Sequence, residues 1–123
     1  MKKNTKCLVV EDEALLALSL EMELKMAGLN VIGIAATGEQ ALQNLKVKKP
    51  DIILMDLRLS GKMNGVEVIR MITRMYHIPV IIITGYPDTK LMDAAKRLDH
   101  VRYLLKPVRT ETLLKLMAEL LNG

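Results

Sequence analysis

The residues best suited to chemistry in this chain are the carboxylates of Glu11, Asp12 and Asp56, the hydroxyl of Thr84 and the ammonium of Lys106. Three carboxylates held close repel one another, which raises their pKa values unless a cation sits among them. Hard oxygen ligands of this kind suit Mg²⁺, which takes few protein groups and keeps several waters. A lysine and a hydroxyl on the far side of Asp56 would hold an anion against the metal. Metal, lysine and hydroxyl around one carboxylate make a phosphoryl-accepting site. Taken singly, each residue has an ordinary reading: Asp56 as a turn cap, Glu11 and Asp12 as solvated acids at a helix start, Thr84 as a β-former, Lys106 as a surface lysine. What joins them is position. Each falls at the end of a predicted strand, and open parallel sheets bind ligands at that edge.

The elements that carry them follow from the hydrophobic pattern. Asp51 to Asp56 is an apolar run closing on an aspartate, which predicts a strand buried on both faces and helices above and below it. Lys6 to Val10 is a short apolar strand ended by Glu11-Asp12-Glu13, and Asn30 to Ala35 is a second, rich in Val and Ile. Pro79 to Thr84 is apolar throughout and so central, and Val101 to Leu105 is a fifth strand ending at Lys106-Pro107. Between them the apolar positions recur at helical spacing. Ala14 to Ala27 is stopped by Gly28, and Thr37-Gly38-Glu39-Gln40 reads as a capping box for a helix to about Lys46. Asn64 with Glu67 caps a helix burying Val66, Ile69 and Ile72. Asp88, after the turn Gly85-Tyr86-Pro87, caps one bearing Leu91, Ala94, Ala95 and Leu98. The last helix runs from about Thr110 to Leu121, with Leu113, Leu114, Met117, Leu120 and Leu121 inward. This is a (βα)5 chain without linker or repeat, and right-handed crossovers make it a three-layer sandwich around a five-stranded parallel sheet.

The totals agree with one domain over residues 1–123. Half of the 123 residues are hydrophobic, yet Phe and Trp are absent and Tyr numbers three, so Leu, Ile, Val and nine Met must fill the core. No apolar run approaches the ~18 residues of a membrane span, and no signal-peptide pattern opens the chain. The single Cys7 lies in a predicted strand as a small buried hydrophobe, which fits a reducing, cytoplasmic setting. The net charge of +4 invites a nucleic-acid reading. The basic residues are scattered, however, with Lys46, Lys48 and Lys49 at one helix end and Arg70 and Arg74 along another, where they suit helix dipoles. No recognition helix or base-stacking aromatic set is present, so the expectation is no direct nucleic-acid contact and no membrane insertion.

Glu11-Asp12, Asp56, Thr84 and Lys106-Pro107, in this order and spacing, resemble the receiver domain of two-component response regulators over essentially the whole chain. The resemblance implies a flavodoxin-like, doubly wound α/β sheet of strand order 2-1-3-4-5. It implies that Asp56 takes a phosphoryl group from a phosphohistidine on a histidine kinase or phosphotransfer protein. It further implies Mg²⁺ bound by Glu11, Asp12, Asp56 and the main-chain carbonyl of Arg58. Thr84 would hydrogen-bond the phosphoryl oxygens, Lys106 would pair with them, and the Lys106-Pro107 bond would be cis. Tyr103, just before the lysine, falls on the family's switch aromatic. A downstream protein, or a second copy, would bind the face made by the fourth helix, fifth strand and fifth helix.

The sequence departs from the family pattern in three places. The acidic pair is Glu-Asp rather than Asp-Asp, Ser60 stands where proline is usual in a loop one residue longer, and Gly85 replaces the alanine after the threonine. None removes a functional group. A phosphatase with an aspartyl-phosphate intermediate would need a second aspartate where Arg58 stands, so turnover of an external substrate is not expected. A flavin carrier would need a Gly/Ser/Thr-rich loop where Glu11-Asp12-Glu13 would repel phosphate. A receiver degenerated to pure docking would not keep the acid, threonine and lysine set. His77 and His100 read as isolated helix-end and loop residues. No output domain is visible in the sequence, so a stand-alone regulator and a piece of a longer protein stay equally open.

Overall fold

The structure is a computed structural model that describes residues 1–57, 61, 63–85 and 89–122, with the side chains of Thr89 and Leu91 set aside. Its elements are β1 (Lys6–Val10), α1 (Ala14–Met26), β2 (Asn30–Ala35), α2 (Gly38–Val47), β3 (Ile52–Met55), α3 (Gly65–Met75), β4 (Val80–Thr84), α4 (Thr89–Lys96), β5 (Val101–Leu105) and α5 (Thr110–Asn122). All strand pairings are parallel, in the order β2-β1-β3-β4-β5. The expected fold class and strand order are therefore the observed ones.

Strand periodicity divides the core in two. Cys7, Val9, Ile52, Leu54, Ile81 and Ile83 meet Ala17 and Leu24 of α1 and Leu113 and Met117 of α5. The alternate residues, Leu8, Val10, Ile53, Met55, Val80 and Ile82, meet α2, α3 and α4 through Ala41, Leu45, Val68, Ile69, Ile72 and Ala95. Every residue of β3 and β4 is buried, because both of their faces are covered. Each such Ile, Leu or Val contributes on the order of 1.5–3 kcal/mol over leaving it in water, so these two central strands anchor the sheet.

Local signals set the helix ends. Asn64 Oδ1 accepts from the Glu67 N–H at 2.9 Å, and its Nδ2 donates to Glu67 Oε1 at 2.7 Å. Thr37 Oγ1 accepts from the Gln40 N–H at 3.1 Å, but Gln40 Oε1 reaches past Thr37 to the Ala36 N–H at 2.8 Å, so the box is offset by one residue. Helix α1 closes with Gly28 at φ +90°, the Gly28 N–H bonded to the Lys25 carbonyl and the Leu29 N–H to that of Leu24. The cap expected from Asp88 and the inward side chain expected of Leu91 lie outside the described residues.

Three readings need correction. The strand expected over Asp51–Asp56 is shorter, because Asp51 instead pairs with the start of β1, its Oδ2 accepting from the Lys6 N–H at 2.8 Å. On α1, the long apolar side chains Leu15, Leu18, Met22 and Met26 are exposed while Ala17 and Leu24 are buried. A helix apolar on all sides carries no periodic signal of which face is inward. His77 and His100 do sit past α3 and between α4 and β5, but they are not isolated: both line one cavity.

Candidate functional site

The sheet fixes the backbone of the site. Its parallel ladder runs one step beyond the strands: the Glu11 N–H donates to the Ala35 carbonyl at 2.9 Å, that of Asp56 to Val10 at 3.1 Å, and that of Lys106 to Thr84 at 2.8 Å. Glu11, Asp56 and Lys106 are therefore held at the carboxyl edge by strand pairing rather than by loops. Thr84, the last residue of β4, is fully buried. Asp12, one residue beyond Glu11, is exposed.

The side chains converge on the lysine. Lys106 Nζ donates to Asp56 Oδ2 and to Glu11 Oε1, each at 3.0 Å. Glu11 Oε2 accepts from the Glu13 N–H at 3.2 Å, which fixes the orientation of the carboxylate. Burial works against the ammonium of Lys106, but its hydrogen bonds to Asp56 and Glu11 and their charges outweigh burial and hold its pKa above the ordinary lysine value. Glu11 goes the other way from a typical paired acid. Burial is the largest influence and raises its pKa, and together with the charge of Asp56 it outweighs the lowering by Lys106 and the Glu13 N–H. Among the described residues no set of three His, Cys, Asp or Glu side chains is gathered closely enough to hold a metal ion by itself. Arg58, whose carbonyl was expected among the ligands, lies outside the described residues.

The segment leading away from Asp56 is tied down by a residue the sequence did not single out. Glu39, in the first turn of α2, accepts through Oε1 from the Met63 N–H at 2.9 Å, and Gly61 at φ +108° passes against its carboxylate. Gly65 lies directly on the backbone of Leu57, where a Cβ would meet the Leu57 carbonyl oxygen at 2.8 Å. No local motif announces a contact between Glu39 and Met63, which is made only when α2 and α3 pack side by side. Tyr103, on edge strand β5 in register with Ile82, points outward at 39% exposure, and Lys96 Nζ lies 4.8 Å from its ring centre. The Lys106-Pro107 peptide bond is cis.

A family model described as the response regulator receiver domain matches residues 7–118. The chain belongs to the receiver domain family. Among curated relatives, receiver-family similarity extends to the phyllosphere-induced regulator PhyR of Methylorubrum extorquens, 36% identical over 85 residues, covering 68% of this chain and 32% of that protein. The transcriptional regulatory protein YdfI of Bacillus subtilis is 34% identical over 119 residues, covering 96% of this chain and 55% of that one. The chain thus spans about a third to a half of these longer relatives. Among solved structures, the signal receiver domain of a modulated diguanylate cyclase from Desulfovibrio desulfuricans superposes with a TM-score of 0.89 at 33% identity, covering 95% of this chain and 93% of that one. The receiver domain of Erythrobacter litoralis PhyR gives 0.83 at 29% identity, covering 98% and 92%. The chain is a receiver domain of two-component signalling, and none of its helices is long and apolar enough to cross a membrane, among the described residues.

Proposed function

We propose that residues 1–123 form one receiver domain in which Asp56 is the phosphoryl acceptor. An Asp56 oxygen attacks the phosphorus of a phosphohistidine on a histidine kinase or phosphotransfer protein. The P–N bond breaks as the new P–O bond forms, and its electron pair stays with an imidazole that carries a proton on its other nitrogen and leaves neutral. Lys106, which holds the Asp56 carboxylate beforehand, follows the negative charge onto the phosphoryl oxygens. Thr84 donates its hydroxyl to the same oxygens. Later attack of water on the phosphorus breaks the P–O bond to Asp56, releasing inorganic phosphate and the free carboxylate, without turnover of an external substrate.

The donor set suits Mg²⁺, since Glu11 and Asp56 are hard oxygen ligands that already share one cation between them. Glu11, Asp12, Asp56 and the main-chain carbonyl of Arg58 would hold it. Bound there, the ion would supply positive charge that offsets the repulsion of an anionic nucleophile for an anionic phosphoryl group. The chain's own contribution is to hold Asp56 at the end of a strand with its carboxylate oriented by Lys106. The signal would leave through the face of α4, β5 and α5, where Tyr103 stands outward on the edge strand.

The observation that carries this reading is the ammonium of Lys106 bonded at once to Asp56 and Glu11 on the ligand-binding edge of a receiver sheet. Incubation with acetyl phosphate and Mg²⁺ should add one phosphoryl mass, labile to hydroxylamine, and Asp56→Asn should abolish it. Equal labelling of the Asp56→Asn protein would remove Asp56 from the role.

A further inference from the structure

We propose that the cavity at the opposite end of the sheet from Asp56 binds a phosphate group, free or carried on a small organic molecule. Helices α3 and α4 finish with the same pattern, Arg74-Met75-Tyr76-His77 and Arg97-Leu98-Asp99-His100. Both histidines are in the left-handed backbone region, at φ 55° and 61°. Both arginines and both histidines line a single cavity of about 440 Å³, floored by Ile78 and Leu98. This proposal is independent of the role given to Asp56.

Cations near helix C-termini suit the helix dipole, and that accounts for one basic residue at each end. It does not account for four of them meeting in one concavity. Nor does it account for the backbone. A left-handed residue is cheapest as glycine, and this chain uses Gly28 at the corresponding place after α1. His77 holds that place after α3 and His100 stands directly before β5, and keeping a left-handed histidine at both retains two imidazoles beside the same cavity. The other charged group facing the cavity is Asp99, which offsets one arginine and leaves a net positive site. Among the described residues the ion pairs of Lys25 and Lys106 do not include Arg74 or Arg97. Two planar guanidinium groups, one from the last turn of α3 and one just past α4, suit the oxygens of a phosphate group, and the volume lies in the range of small-molecule sites. The apolar floor offers contact to whatever carries the phosphate.

The test is a titration of the ¹⁵N-labelled protein with inorganic phosphate and, separately, with AMP, at fixed ionic strength and without Mg²⁺. Saturable shifts of the Ile78 and His100 amides are expected with both, tighter for AMP if the floor is used and equal if the phosphate alone is read. The Arg74→Gln/Arg97→Gln protein should bind about tenfold more weakly or worse. His77→Asn/His100→Asn, which removes both imidazoles and keeps residues that tolerate the left-handed region, should also bind more weakly than the parent. Should the double arginine variant not fold, Arg97→Gln alone carries the comparison. Absence of saturable shifts up to ~20 mM of either probe would overturn the site. So would an equal loss in a Lys46→Gln/Lys48→Gln control, which would mark diffuse charge attraction.

Discussion

Lys106 Nζ lies 3.0 Å from Asp56 Oδ2, a contact made between strand ends 50 positions apart in the chain. The same ammonium serves Glu11, so its removal takes from two partly buried carboxylates the cation they share. Lys106→Met should therefore lower the stability of the unmodified protein by on the order of 1–3 kcal/mol. Added Mg²⁺ should restore part of that loss and stabilise the variant more than the parent. Urea midpoints with and without Mg²⁺ measure both effects, and equal midpoints for variant and parent would contradict the shared-cation picture.

Glu11 gives a pH signature of unusual sign. Its folded-state pKa is raised above the ordinary carboxylate value of 4.5, chiefly by burial. The folded state then holds a proton that the unfolded state has released, so this residue's contribution falls as pH rises from that value through its raised folded value. Glu11→Gln preserves the shape and removes the titration. The stability of the variant relative to the parent should rise with pH across this window and then level off. Denaturation midpoints of the two proteins at closely spaced pH values check the sign, and a difference independent of pH would exclude it.

Two glycines near the site should respond in opposite ways to the same substitution. A Cβ on Gly65 would lie 2.8 Å from the carbonyl oxygen of Leu57 and 3.0 Å from its Cα, and backbone cannot step aside cheaply. Gly65→Ala should cost about 1–3 kcal/mol and displace the segment that follows Asp56, slowing its phosphorylation. Among the described residues a Cβ on Gly85 meets only Lys106 Cδ at 3.8 Å, an ordinary contact. Gly85→Ala should stay within ~0.5 kcal/mol of the parent. Thermal unfolding with acetyl phosphate labelling separates the two cases.

The contrast between these positions also shows what the sequence could reveal. Runs such as Ile52–Met55 and Val80–Thr84 are apolar at every position, so a doubly covered parallel sheet was readable directly from them. The polar residues ending those runs stood out because they break an apolar pattern. Helix α1 was legible as a helix but not as a face, since its apolar residues leave no polar side to mark solvent. The hold of Glu39 on Met63 and the meeting of His77 with His100 depend on α2, α3 and α4 packing side by side. No spacing along the chain encodes such contacts, and a lone histidine past a helix end looks like any other helix stop.

The last prediction concerns Tyr103 and the lysine that covers it. Lys96 Nζ stands 4.8 Å from the centre of the Tyr103 ring while the ring points outward from β5. A cation over an exposed aromatic face is worth about 0.5–1 kcal/mol, so this contact favours the outward orientation by a factor of a few. A phosphoryl group on Asp56 brings about two negative charges and a strong acceptor for Thr84. In the proposed switch, movement of Thr84 towards it would free space beside β4, and Tyr103 on the neighbouring strand would turn in. Lys96→Gln should remove part of the bias, so the unmodified variant should already behave partly like the activated protein. Beryllofluoride, a phosphoryl mimic, provides the reference for full activation. Fluorination of Tyr103 allows its ring environment to be followed by ¹⁹F NMR in the parent, Lys96→Gln and Thr84→Ala proteins. The expected order is a small inward population in Lys96→Gln without the mimic, a full shift in the parent with it, and little response in Thr84→Ala. An identical ¹⁹F response in all three proteins would disconnect Tyr103 from Asp56, while leaving the chemistry proposed for Asp56 untouched.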